Sequence, residues 1–178
     1  MKISFILVQL LGLIPSLIAI TSLQSTNRKR ILGLQVLCCM MWILHYSILG
    51  AATAVVTNII GIFRALLCRF NDRPWAKSRA WLFVLIALYL GNAALTWQGP
   101  ASALLTFSMV CTTVALWVHD MRVTRFLYLL NSPPVLLANL LMGSYSCAAI
   151  EVVALSSFAL AVYRYDIRPA RKKLPASS

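Results

Sequence analysis

Seven stretches of this chain are almost continuously apolar: residues 3–23, 31–49, 51–68, 80–97, 101–118, 126–142 and 144–162. Each is close to the length of about 20 residues that carries a helix across a hydrocarbon core. Inside such a core no water is present to bond the backbone, so only helices and closed barrels can span it. A barrel strand alternates lipid-facing and interior residues, and these runs do not alternate. The pattern predicts an all-α membrane protein with seven transmembrane helices. A soluble domain is excluded by composition, since 61% of residues are hydrophobic and 11% charged, against about 25% charged in ordinary soluble domains.

The connections between runs are of two kinds, and they alternate. The first carries Arg28, Lys29 and Arg30; the third Arg69, Arg73, Lys77 and Arg79; the fifth Arg122 and Arg125. The tail carries Arg164, Arg168, Arg171, Lys172 and Lys173. The second, fourth and sixth are short and uncharged, at Gly50, at Gln98-Gly99-Pro100 and at Gly143. Basic loops stay on the cytoplasmic side, so seven spans place the N-terminus outside and the C-terminus inside a bacterial inner membrane. Lys2 is the one basic residue this leaves outside. The net charge of +12 is thereby a matter of topology, and nucleic acid is not an expected partner. The first run is longer than a signal-peptide core and ends without a small-x-small cleavage site, so it reads as an uncleaved span.

Shifting the sequence by 93 residues lays the first three helices on the last three without a gap. Gly50 falls on Gly143, Lys29 on Arg122, and Leu34, Leu37 and Leu44 on Leu127, Leu130 and Leu137. The fourth helix is left over as a linker. The expected arrangement is two parallel three-helix repeats plus a linker, related by an axis along the membrane normal. Its parts are 1–70, the first repeat; 71–99, a cytoplasmic loop and the linker helix; 100–165, the second repeat; and 166–178, a basic, disordered cytoplasmic tail.

Polar residues within the apolar runs are the candidates for function. Glu151 is the one acid well inside a span, where a carboxyl is costly unless protonated, paired or hydrated. It points either to a pocket or to a hydrogen bond between helices. Asn58 lies 93 residues earlier, and is either a pocket residue opposite Glu151 or glue between helices. Trp42, His45 and Tyr46 share one helix face, suited to lining a solute path or to packing. Asn131 and Asn139 complete the candidate pocket. Pro15, Pro133 and Pro134 are expected helix breaks, and broken membrane helices lie near sites; for the pair Pro133-Pro134 a simple kink is an equal alternative. Arg64 is expected to snorkel to the headgroups, and Trp75, Trp81, Trp97 and Trp117 to form an interfacial belt. Cys38, Cys39, Cys68, Cys111 and Cys147 lack disulfide or metal spacing and read as small buried thiols. His45 and His119 are too few for a metal cluster. With no phosphate loop and no nucleophile elbow, neither a cofactor nor an enzymatic activity is expected.

Several strings together resemble one family. They are Gln24-Ser25-Thr26-Asn27-Arg28-Lys29-Arg30-Ile31-Leu32, Trp42-Ile43-Leu44-His45-Tyr46 and Leu49-Gly50 in the first half. In the second half they are Asn131-Ser132-Pro133-Pro134, Asn139, Gly143-Ser144-Tyr145, Glu151 and Arg164-Tyr165-Asp166. Their order and spacing resemble the YgjV-type bacterial inner-membrane proteins, which implies location and topology but no reaction. The three-one-three layout also resembles the SWEET and PQ-loop carriers of small solutes. In those a polar residue on the third helix of each repeat faces a central pocket; the matching positions are Asn58 and Glu151. Their Pro-Gln pair is replaced here, since Ser16 follows Pro15 and Pro134 follows Pro133. The function expected is a carrier or facilitator of a small solute. The alternative is an accessory protein that binds another membrane protein or lipid. The lipid bilayer and a solute are the expected partners, and a second copy of the chain stays open.

Overall fold

The structure, a computed structural model, describes residues 5–23, 28–70, 73–76, 78–118 and 120–168. Lys2, Asp72, Lys77, His119 and the tail beyond 168 lie outside them. The described residues form seven α-helices: α1 (Phe5–Leu23), α2 (Arg28–Ile48), α3 (Ala52–Arg69), α4 (Ala80–Leu95), α5 (Pro100–Trp117), α6 (Met121–Leu141) and α7 (Tyr145–Val162). The all-helical class and the seven helices follow the apolar runs. Three segments, Ala52–Arg69, Pro100–Trp117 and Tyr145–Ile167, are long and apolar enough to cross a membrane by length and composition.

Helix ends are set by polar chemistry, which hydropathy does not report. The α6 helix begins at Met121, ahead of its apolar run, because the Asp120 carboxylate caps it by accepting a hydrogen bond from the Arg122 N–H at 2.8 Å. Pro100 opens α5, where its missing N–H costs nothing, after Gly99 at φ +89°. The turns that end α2 and α6 are built alike. Gly50 N–H donates to Ser47 O and Ala51 N–H to Tyr46 O; Gly143 N–H donates to Leu140 O and Ser144 N–H to Asn139 O. Gly50 and Gly143 sit at φ +70° and +73°. This left-handed close gives the last carbonyls of each helix a donor, and glycine reaches it without strain.

Pro15, Pro133 and Pro134 do not break their helices, contrary to the expectation above; α1 and α6 run through them. A proline leaves the carbonyl four residues earlier without its helical donor, which membrane helices tolerate; carbonyls nearby in the same helices also take side-chain donors from neighbouring helices. The Cys38 thiol donates to the Pro15 carbonyl at 3.3 Å. The Ser108 hydroxyl points at the Asn131 carbonyl, just before the proline pair, at 3.4 Å.

Each helix packs on its chain neighbours, α7 returns against α1, and α3 also touches α5, leaving α4 outside that contact. The most extensive contacts are α5 with α6 and α2 with α3. Small residues make this close approach possible. Thr53, Ala54, Thr57, Gly61 and Ala65 are buried on α3, and Ala101, Ser102, Thr106, Ser108 and Ala115 on α5. Buried hydroxyls bond their own helices, as Thr106 does to Ser102 O at 2.8 Å and Thr113 to Met109 O at 2.6 Å. Large apolar side chains face outward instead; Leu95 is 88% exposed and Phe83 69%. In lipid such exposure costs nothing, which explains a surface that water would not tolerate.

At the basic end α7 runs on into a π-helical turn, Tyr163–Ile167, past residue 166 where the disordered tail was expected to begin. Asp166 there accepts two bonds of 2.8 Å from the Arg125 fork, and the Arg125 guanidinium lies 5.7 Å from the Tyr165 ring centre. A bidentate pair fixes direction as well as distance, so the start of the tail is docked on α6. Asp166→Asn removes the charge that holds the fork. We expect faster tryptic cleavage after Arg164 in detergent, read by mass spectrometry, with unchanged cleavage after Lys77 and Arg79.

Candidate functional site

Near the glycine turns, α1, α2, α6 and α7 enclose a polar centre. His45 is wholly buried. Its Nδ1 lies 3.1 Å from the Val8 carbonyl and its Nε2 2.8 Å from Ser144 Oγ. A carbonyl only accepts, so Nδ1 carries the proton, and the Nε2 of a neutral ring accepts from the serine. The Tyr46 hydroxyl donates to Asn139 Oδ1 at 2.7 Å. Glu151, half-buried on α7, interacts with Ser132 of α6 and lies within electrostatic reach of Tyr46. Ser132 Oγ stops short of a hydrogen bond to it and, like Trp42 Nε1, Asn131 Oδ1 and Ser146 Oγ, is buried without a partner among the described residues.

A second polar group joins α3, α4 and α5. Asn92 Nδ2 donates to Thr53 O at 3.1 Å and to Thr57 Oγ1 at 2.9 Å. The Thr53 hydroxyl lies 2.9 Å from Ser102 Oγ and bonds the Thr96 carbonyl. Beside it opens a cleft of about 350 Å³, lined by Thr53, Gln98 and Ser102 and by Ala51, Leu105 and Met142. Ala51 and Leu105 belong to the same apolar cluster as Tyr46, with Met142 packed against it.

The two groups are built on corresponding atoms. The Gln98 amide donates to Gly50 O at 3.0 Å and accepts from Thr53 N–H at 3.3 Å. The Gln9 amide donates to Gly143 O at 2.7 Å and accepts from Ser146 N–H at 3.0 Å. Gly143 and Ser146 lie 93 positions after Gly50 and Thr53. One glutamine thus bridges each tight turn, and each comes from outside the helix pair that makes the turn. Tyr46 and Asn139, bonded to each other, are also 93 positions apart.

Of the candidates named from sequence, Trp42, His45, Tyr46, Asn139 and Glu151 gather at the first centre, with Asn131 on the same helix as Ser132. Asn58 does not join Glu151: its amide donates to Ala54 O, on its own helix, at 2.8 Å. Neither Asn58 nor Glu151 lines the cleft. Arg64 does not snorkel; it is 4% exposed, held inside the bundle, with Nη1 3.3 Å from Thr113 Oγ1. The helix face that carries Arg64 also carries Thr53, Thr57 and Gly61, and small residues at that spacing turn inward. Gln9 is not singled out by the sequence, and Gln98, Ser132 and Ser144 enter it only within a loop or a family string, because uncharged polar residues give little signal in a single sequence. Among the described residues no group of three His, Cys, Asp or Glu side chains can hold a metal ion.

Gly12 sets how tightly this centre closes. A Cβ there would stand 2.5 Å from Ser146 Oγ and 2.8 Å from His45 Cε1, whereas one at Gly91 would meet nothing. Alanine favours a helix over glycine by up to about 1 kcal/mol, so Gly91→Ala should unfold at the same or a higher temperature. Gly12→Ala should be destabilised by about 1–3 kcal/mol through overpacking. Thermal unfolding of both variants in detergent checks the contrast.

No curated protein and no solved structure matches the chain. Residues 6–168 match the family described as Imp-YgjV, bacterial inner membrane protein. That match spans all seven helices and accords with the outward-facing apolar side chains. The chain belongs to this family of bacterial inner-membrane proteins.

Proposed function

We propose that this protein is a carrier or facilitator of a small solute, built as two parallel three-helix repeats around a linker helix. The observation that carries the reading is the hydrogen bond between Tyr46 and Asn139. If two repeats are related by rotation about an axis, equivalent residues touch only where that axis passes. Tyr46 and Asn139 are equivalent under the 93-residue shift, so the axis runs between them, beside Glu151. The paired glutamine clamps support the same relation, since each repeat's turn is held from the other repeat's first helix or the loop entering it. In this reading the cleft at Gln98, Thr53 and Ser102 is a vestibule, and Tyr46, Asn139 and Glu151 form the site beneath it. The seven helices all span, with the basic loops in the cytoplasm and the glycine turns outside.

An accessory role is the second reading. What favours it is that neither Glu151 nor Tyr46 lines the cleft.

Topology is checked by fusing a periplasm-active reporter after Gly50, Gly99 or Gly143, where activity is expected, and after Arg30, Lys77 or Lys173, where silence is expected. Activity at Lys77 would remove the seven-span arrangement. Transport is checked with purified protein. A small-metabolite panel should yield solutes that raise the unfolding temperature, since binding at a hundredfold excess over Kd stabilises by about 2.7 kcal/mol. Those solutes should enter proteoliposomes containing wild-type protein and not those containing Glu151→Gln. Stabilisation without uptake would leave the accessory reading.

A further inference from the structure

A second site lies deeper in the bundle, toward the basic end. At 1.5 Å per residue, Arg64 is about 18 Å along α3 from its glycine-turn end, while Glu151 is about 9 Å along α7. The ion pairs among the described residues are those of Asp166 with Arg122 and Arg125. Arg64 has no such partner, although it is 4% exposed. Its Nη1 approaches Thr113 Oγ1, whose own hydrogen goes to Met109 O. Its Nε is buried with no acceptor among the described residues. The hydroxyl of Tyr89, a side chain with no exposed surface, is likewise buried without a hydrogen-bond partner. Tyr89 and Tyr128 of α6 both interact electrostatically with Arg64, and the Tyr89 hydroxyl lies near Thr113 but stops short of hydrogen-bond geometry.

Both orphaned groups are donors, and both lie against Thr113. An acceptor is what they lack, and the guanidinium also lacks a counter-charge. Arginine keeps its proton at any accessible pH, and a charge inside a membrane domain is held by pairing. A neutral acceptor would meet the hydrogen bonds and leave the charge. Ile60, Leu67 and Leu85, with Met109 packed against them, form an apolar cluster with Tyr89 and supply no counter-charge; walls this close favour a compact ion over a large one.

We propose that Arg64, Tyr89 and Thr113 bind a small monovalent anion, with Arg64 supplying charge and the Nε donor and Tyr89 the second donor. The chemistry suits a halide or a small carboxylate. It stands independently of whether the protein transports a solute.

The test uses full-length protein in an uncharged detergent, with its unfolding temperature measured as sodium gluconate is replaced by chloride, bromide or formate at constant ionic strength. Wild-type protein should rise in unfolding temperature with saturation. A response to chloride and bromide identifies a halide, and one to formate alone a carboxylate. Tyr89→Phe keeps the packed ring and should weaken the half-saturating concentration about tenfold, the loss expected for one hydrogen bond to a charged group. Arg64→Gln should lose the response. A wild-type unfolding temperature that is the same in every salt overturns the proposal, as does an unchanged response in Tyr89→Phe or in Arg64→Gln. Should Arg64→Gln fail to fold, Tyr89→Phe decides. Asp72 is the one acid outside the described residues, so Asp72→Asn is measured too. A response that emerges only in that variant would assign the counter-charge to Asp72 and overturn the site.

Discussion

Lipid offers no hydrogen bonds, and the structure follows from that restriction. Every helix must bond its own backbone, and every polar side chain within the bundle is costly unless it finds a partner in protein. Thr106, Thr112, Thr113 and Ser156 meet the demand alone by bonding carbonyls four residues back. The turns at Gly50 and Gly143 meet it by folding the last carbonyls onto backbone donors and then presenting one more acceptor to a glutamine. Since apolar attraction between helices is weak in lipid, small buried residues and these polar bonds hold the bundle together.

Most of the polar groups lie at one end. The glycine-turn half contains His45, Tyr46, Asn92, Asn139, the two glutamines and the serines and threonines around them. Nearly all are matched, and they tie α7 to α1 and α3 to α4 and α5. Satisfied networks of this kind rigidify the part of the bundle that holds them. The unmatched atoms are therefore informative: Ser132 and Asn131 border the Glu151 side, while the Arg64 Nε and the Tyr89 hydroxyl mark a second place, nearer the basic end. The buried Arg64 and the half-buried Glu151 occupy different depths and form no ion pair with each other.

The glutamine clamps bear on how such a bundle could move. Gln98 holds the α2–α3 turn from the loop that enters α5, and Gln9 holds the α6–α7 turn from α1. Under the proposed repeat, both clamps cross between halves at the same end. Motion of one half against the other would strain that end first, and the cleft lies beside one of the two clamps.

The sequence alone determined the class. Seven apolar runs, separated by alternating basic and bare connections, leave no soluble or barrel alternative, because hydropathy and charge act through solvent and need no partner. It also located Glu151, His45, Tyr46 and Asn139, since polar residues within an apolar run stand out by their cost. What it could not determine was which polar groups meet. Asn58 turns to its own helix instead of toward Glu151; Pro15, Pro133 and Pro134 are absorbed without a break; Arg64 turns inward instead of reaching for headgroups. Each of these depends on the rotation of one helix against another. That rotation is fixed by packing of small residues such as Gly12 and Gly61 against side chains more than 20 positions away, and a one-dimensional pattern carries no record of it.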